Sequence, residues 1–96
     1  MIIEAPYKSN DTVTIKTVGG EEVVARYVEE NSDVITIERP MSVIATQQGA
    51  GLVPFAFTIH PKSKVKLNKH AVVFIHKTDD EMGKQYVEST TGIKLQ

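Results

Sequence analysis

The sequence predicts a mainly β protein, a small, strongly bent, five-stranded open barrel with a short C-terminal helix. Two observations lead there. Apolar and polar residues alternate with period two through Thr12 to Val18, and Val34 to Ile37 restarts a β pattern, in runs rich in β-branched side chains that suit a pleated, half-buried surface. Turn-forming residues separate these runs at hairpin spacing, Gly19-Gly20 first and Asn31-Ser32-Asp33 second. At 96 residues the chain suits one domain with a single modest core, and several short strands beside one small helix suit a sheet that curls on itself.

Residues 1–10 read as an N-terminal arm, either packed or frayed, with Ile2, Ile3 and Tyr7 around Pro6. The first strand, Thr12 to Val18, sets Val13, Ile15 and Thr17 on one face. Gly19-Gly20 then reads as a tight turn of the primed type, because glycine reaches positive φ without a Cβ clash. The second strand, Glu21 to Glu30, turns Val23, Ala25 and Tyr27 one way and Val24, Arg26 and Val28 the other. Apolar on both faces at its middle, it is expected to bend and be covered from two directions.

After the third strand, Pro40 removes an amide donor and marks a bulge or an edge. Residues 40–60 then read as an extended hairpin: Met41 to Thr46 going out, Gln47 to Gly51 as a long flexible tip, and Leu52 to Ile59 returning with Phe55, Phe57 and Ile59 on one side. Lys64 to Leu67 alternates so that Val65 and Leu67 point inward and the lysines outward. His70 to His76 is nearly continuous in apolar residues, the pattern of a buried strand. Over residues 78–89, a cap at Thr78, acids at Asp79, Asp80 and Glu81, and Met82 and Tyr86 four apart predict a short helix, which Gly83 weakens by up to about 1 kcal/mol relative to alanine. Ile93 and Leu95 lie on a tail that could pair as a strand.

Charge is segregated along the chain although the net charge is −1. Residues 1–38 carry eight acids against Lys8, Lys16 and Arg26, whereas residues 39–78 carry no acid and hold Arg39, Lys62, Lys64, Lys66, Lys69, Lys77 and all three histidines. One face can therefore be basic, and phosphate binding follows local potential more than net charge. The absence of cysteine excludes disulfides, thiolate catalysis and thiolate metal sites. No apolar run reaches bilayer-spanning length, so a soluble, cytoplasmic protein without membrane partners is expected. His60 and His76 lack metal-ligand spacing and read as structural, and no metal or cofactor is implied. Nothing supplies a nucleophile–base pair or a phosphate-cradling glycine loop, so the chain reads as non-catalytic.

The meander GGEEVVARYVEENSDVITIER resembles the first motif of Sm-like proteins, with Ala25 at the usual glycine of the bent strand, Tyr27 at the apolar position two on, and Asn31 at the usual aspartate. The family's base-binding asparagine is absent, since Ile35 or Thr36 stands at that place. Lys69-His70-Ala71 before Val72-Val73 is similar to the sequence opening the last strand of the bacterial Sm-like proteins, and phage-encoded members offer the nearest description. The linker between the motifs is longer than usual, and the helix comes last instead of first. The resemblance implies a homo-oligomeric ring, from pentamer to heptamer, that binds single-stranded RNA. It implies contacts at Lys69 and His70, at their neighbours Lys66 and Asn68, and at the turn residues Asn31 and Asp33.

Each of these residues also has a plain structural reading. The lysines suit a solvated strand face, Asn31 and Asp33 suit a turn, and Tyr27, Phe55 and Phe57 suit a core more readily than a base-stacking platform. Ring symmetry changes the weighing, because copies of Lys69 and His70 would converge around one axis. The alternative function is a small structural or protein-interaction module, for example a phage assembly or host-takeover component, that uses the hairpin tip and binds no RNA.

Overall fold

In the computed structural model, which describes residues 6–91, β1 (Thr12–Thr17), β2 (Glu22–Glu30) and β3 (Val34–Thr46) form the predicted meander. Val13 pairs with Ala25, Ile15 with Val23 and Tyr27 with Ile37, so the inward positions of the three strands coincide. With Ile35 they make the core, each of its valines and isoleucines at most 2 % exposed. Full burial of a valine or isoleucine side chain contributes roughly 1.5–3 kcal/mol. Val24 is buried as well, so the middle of β2 is covered on both faces as its pattern required.

The β1–β2 connection differs from the primed turn. Gly20 alone of the glycine pair has positive φ, at 92°, and its N–H donates to the Thr17 carbonyl while the Thr17 N–H donates to Glu21. Val18 to Gly20 thus form a looser loop that ends in one left-handed residue.

Pro40 marks a bulge and β3 runs through it. Arg26 pairs with Glu38 and Val24 with Met41, leaving Arg39 and Pro40 together opposite Ala25. Arg39 takes the left-handed φ of 51°, a conformation that costs a non-glycine residue energy. The bulge divides β3's second edge: β5 (Lys64–Asn68) pairs along Val34 to Glu38, and β4 (Gly49–Pro54) pairs along Met41 to Thr46. Among the described residues the sheet accordingly has six antiparallel strands, one more than expected, in the order β4-β3-β2-β1-β6 with β5 also on β3.

The outer hairpin is tighter at its tip and shorter on its return than expected. Thr46 pairs with Gly49 across Gln47-Gln48, and Gly49 supplies the positive φ of 118°. The returning strand stops at Pro54 instead of reaching Ile59; the Phe55 N–H still donates to the Pro40 carbonyl at 3.2 Å, after which residues 55–63 are irregular. Phe55 packs on the core, but Phe57 is 84 % exposed, so the three apolar residues do not share a face.

After β5 the chain makes a 3-10 turn at Lys69–Ala71 and enters β6 (Val72–Lys77), which pairs with β1. The pattern of β6 suggested burial, yet only Val72 and Ile75 pack on the core, while Val73 and Phe74 are 62 % and 48 % exposed. Among the described residues β6 pairs with β1 alone, so its outer edge has no ladder partner there. Val65 and Leu67 do point inward and Lys64 and Lys66 outward.

The helix α1 (Asp80–Thr91) begins two residues later than expected. Asp79 caps it by accepting the Met82 N–H, while the Thr78 hydroxyl faces that of Thr14 at 2.9 Å. Tyr86, 1 % exposed, anchors α1 to the bulge by donating its hydroxyl to the carbonyls of Glu38 at 3.2 Å and Arg39 at 2.8 Å. No helix among the described residues is long and apolar enough to cross a membrane. In the N-terminal arm, Tyr7 packs on Tyr27, whereas Ile2 and Ile3, like Ile93 and Leu95 of the tail, lie outside the described residues. Tyr86→Phe, which leaves both carbonyls without this donor, is expected to destabilise the fold by about 1–2 kcal/mol in a denaturant titration; an unchanged midpoint would show that the anchor is apolar contact alone.

Candidate nucleic-acid interface

Five of the six residues marked by sequence come together where the β2–β3 turn meets the β5–β6 turn. Asn31 Oδ1 accepts the N–H groups of Asp33 and Val34 at 2.8 and 2.9 Å, the use of asparagine that its turn position demands. Asp33 offers its carbonyl to the Lys69 N–H at 2.9 Å, which ties the two turns together. Asn68, paired with Val34 across the strands, accepts the His70 N–H at 2.9 Å and so caps the 3-10 turn. His70 is exposed. Lys66 lies apart from this group, opposite Thr36 on β5, beside Lys64 on the same outward face.

Lys69 differs most from expectation. Its ammonium lies 2.6 Å from Glu30, whose other carboxylate oxygen accepts the hydroxyls of Tyr7 and Tyr27, each at 2.9 Å. The two tyrosine rings meet edge to face with centroids 4.7 Å apart. Glu30 is thus a carboxylate held by three donors from three parts of the chain. The hydrogen bond from Lys69, with smaller help from the two tyrosines, holds its pKa below the usual carboxylate value against the opposing effect of burial. Burial, reinforced by the nearby carboxylate, pushes the Tyr7 phenol up to about 12 and the Tyr27 phenol up as well, so both keep their protons and remain donors.

Strand alternation conceals this hub in the sequence. Tyr27 and Glu30 are three apart and should face opposite sides of a regular strand. A second bulge moves them together: Tyr27 pairs with Ile37 and Glu29 with Thr36, which leaves Val28 as the extra residue. The Tyr27 hydroxyl then reaches the Glu30 carboxylate.

The charge at this end is therefore mixed, with Lys69 neutralised in place and Asp33 exposed nearby. Exposed lysines continue along β5 and the segment before it, Lys62, Lys64 and Lys66, on a stretch without acids, although Glu38 stands across from Lys64 on β3. Among the described residues no group of three histidine, aspartate or glutamate side chains is placed to hold a metal ion. No protein-family model matches the chain, and no curated protein matches it.

Because the folded pKa of Glu30 lies below its reference value of 4.5, its stabilising contribution is complete above that value and is lost as pH falls through the lowered one. Glu30→Gln is expected to lose less stability than the unaltered protein between about pH 7 and about pH 3, measured as the shift in urea midpoint. Equal losses in the two proteins would mean that the pairing with Lys69 adds nothing to stability.

Proposed function

We propose that this chain is a non-catalytic RNA-binding subunit whose copies join edge to edge into a ring, as the Sm-like resemblance implies, and that it acts in RNA metabolism in the cytoplasm. The observation that carries this reading is β6, which has no second ladder partner among the described residues and leaves Val73 and Phe74 exposed directly after the 3-10 turn that bears Lys69 and His70. An exposed apolar edge strand is a ready template for pairing with another chain, and burying it in a second subunit removes the liability. Repetition around an axis would then multiply the basic stretch of each subunit into one phosphate-attracting surface.

The contacts are graded. Lys64, Lys66 and His70 are exposed and meet RNA first, while Lys69 contributes once its pairing with Glu30 yields. Binding should weaken steeply with salt, and each phosphate contact on single-stranded nucleic acid adds about 0.7 to the magnitude of the log–log slope. Lys66→Ala should lower that slope, and Glu30→Gln, by freeing Lys69, should tighten binding at low salt. Titration of U-rich and A-rich RNA against protein sized by light scattering tests both parts. A Phe74→Glu variant should dissociate the assembly. A monomer at every concentration removes the ring, and a sized ring that binds no RNA at low salt removes the function.

Phe57, 84 % exposed with Ile59 nearby at 47 %, favours a second reading as a protein-interaction module. Copurification of a protein partner that survives nuclease treatment and is lost in Phe57→Ser would support it over RNA binding.

A further inference from the structure

A cavity of about 250 Å³ lies where the β3 bulge, the irregular segment 55–63, the start of β5 and the last turn of α1 meet. Its walls are mostly apolar, including Pro40, Met41 and Val65, and no acidic side chain lines it among the described residues. Arg39 stands in the wall in its strained left-handed conformation. Its Nη1 donates to the Thr90 carbonyl at a long 3.3 Å, and its Nε is buried without a hydrogen-bond partner. A guanidinium carries five N–H groups; the Nε is closed to solvent and one Nη1 bond goes to Thr90, so the remaining Nη hydrogens are the ones left to meet a ligand. His60 adds another donor: its Nδ1 accepts the Lys62 N–H at 3.1 Å, which assigns the proton of the neutral ring to Nε2.

We infer that this cavity is a binding site for a small monocarboxylate, with the carboxylate on the Arg39 guanidinium and the apolar body against Pro40, Met41 and Val65. Charge selects an anion, since the wall holds a fixed cation and no acid. The planar fork of the guanidinium matches the two oxygens of a carboxylate, and apolar walls favour a hydrocarbon body over a phosphate, which would need many more polar partners. A volume below the usual range for drug-sized ligands restricts the body to a short chain or one ring. The β3 bulge sets the left-handed backbone of Arg39 and so fixes where its side chain leaves the strand, at the wall of the cavity. This assignment stands independently of RNA binding.

Titrating the full-length ¹⁵N-labelled protein with hexanoate, hexan-1-ol and acetate, with amide resonances read by NMR, tests the site. Hexanoate should saturate at low-millimolar concentration and shift the amides of Arg39, Ile59 and Thr90. Hexan-1-ol should bind roughly tenfold or more weakly, because it lacks the charge-assisted pair, and acetate should give no saturable shift. In Arg39→Gln, which removes the charge, the preference for hexanoate over hexan-1-ol should fall to within about twofold. Should that variant fail to fold, the comparison of acid and alcohol on the unaltered protein decides by itself. Equal affinity for acid and alcohol, shifts confined to other surfaces, or no saturable response to hexanoate overturns the assignment.

Discussion

The bulge at Arg39 and Pro40 is the constraint on which the rest of the molecule depends. By placing two residues opposite Ala25 it bends β3 and lets one strand serve two partners on the same edge, β5 before the bulge and β4 after it. An unbent strand would carry the outer hairpin straight on from the barrel ladder. Carbonyls displaced from a regular ladder need donors, and the Tyr86 hydroxyl supplies one to both Glu38 and Arg39. The C-terminal helix is therefore held to the barrel through the same irregularity that shapes it, and the Arg39 cavity forms in the space between them.

A second irregularity, at Val28, organises the opposite end of the sheet. It places Glu30 where Tyr7, Tyr27 and Lys69 converge, and so joins the N-terminal arm, the bent strand and the 3-10 turn through one carboxylate. Surface ion pairs usually contribute little to stability, but this one is half-shielded and shares its carboxylate with two phenols, a network rather than an isolated pair. The consequence reaches function. A lysine that sequence alone marks as a phosphate contact is already paired within its own chain, and the exposed lysines lie further along β5.

Much of the fold was legible because it rests on short-range rules. Period-two alternation located β1 and β5, runs rich in β-branched residues located β2 and the first half of β3, and turn chemistry located the two hairpin connections and the asparagine that fastens the second. The errors have identifiable causes. Thr78 and Asp79 are both competent caps, and pairing of Thr78 with Thr14 left the cap to Asp79. β4 ended at Pro54 although Phe57 and Ile59 continued the apolar alternation: the Phe55 N–H still reaches the Pro40 carbonyl, but Pro40 has no N–H to return and β3 bends at the bulge there, so the ladder stops regardless of hydrophobic pattern. The burial of β6 was overestimated because an apolar run records that a strand seeks cover, not whether its own chain provides it.

Five of the six candidate contact residues were brought together, because the turns that carry them follow from local sequence and lie at the ends of paired strands. Glu30 was missed because its partnership depends on a bulge, which is a property of two strands in register and leaves no mark in either alone. From composition and periodicity the chain determined its mainly β class, its turns, its C-terminal helix and an acid-free basic segment. Tertiary structure decided which strands share the edge of β3, the pairing that neutralises Lys69, the exposed apolar side chains of β6 and the cavity beside Arg39. Each of these arises from which residues of distant segments face one another, and local patterning carries no information about that choice.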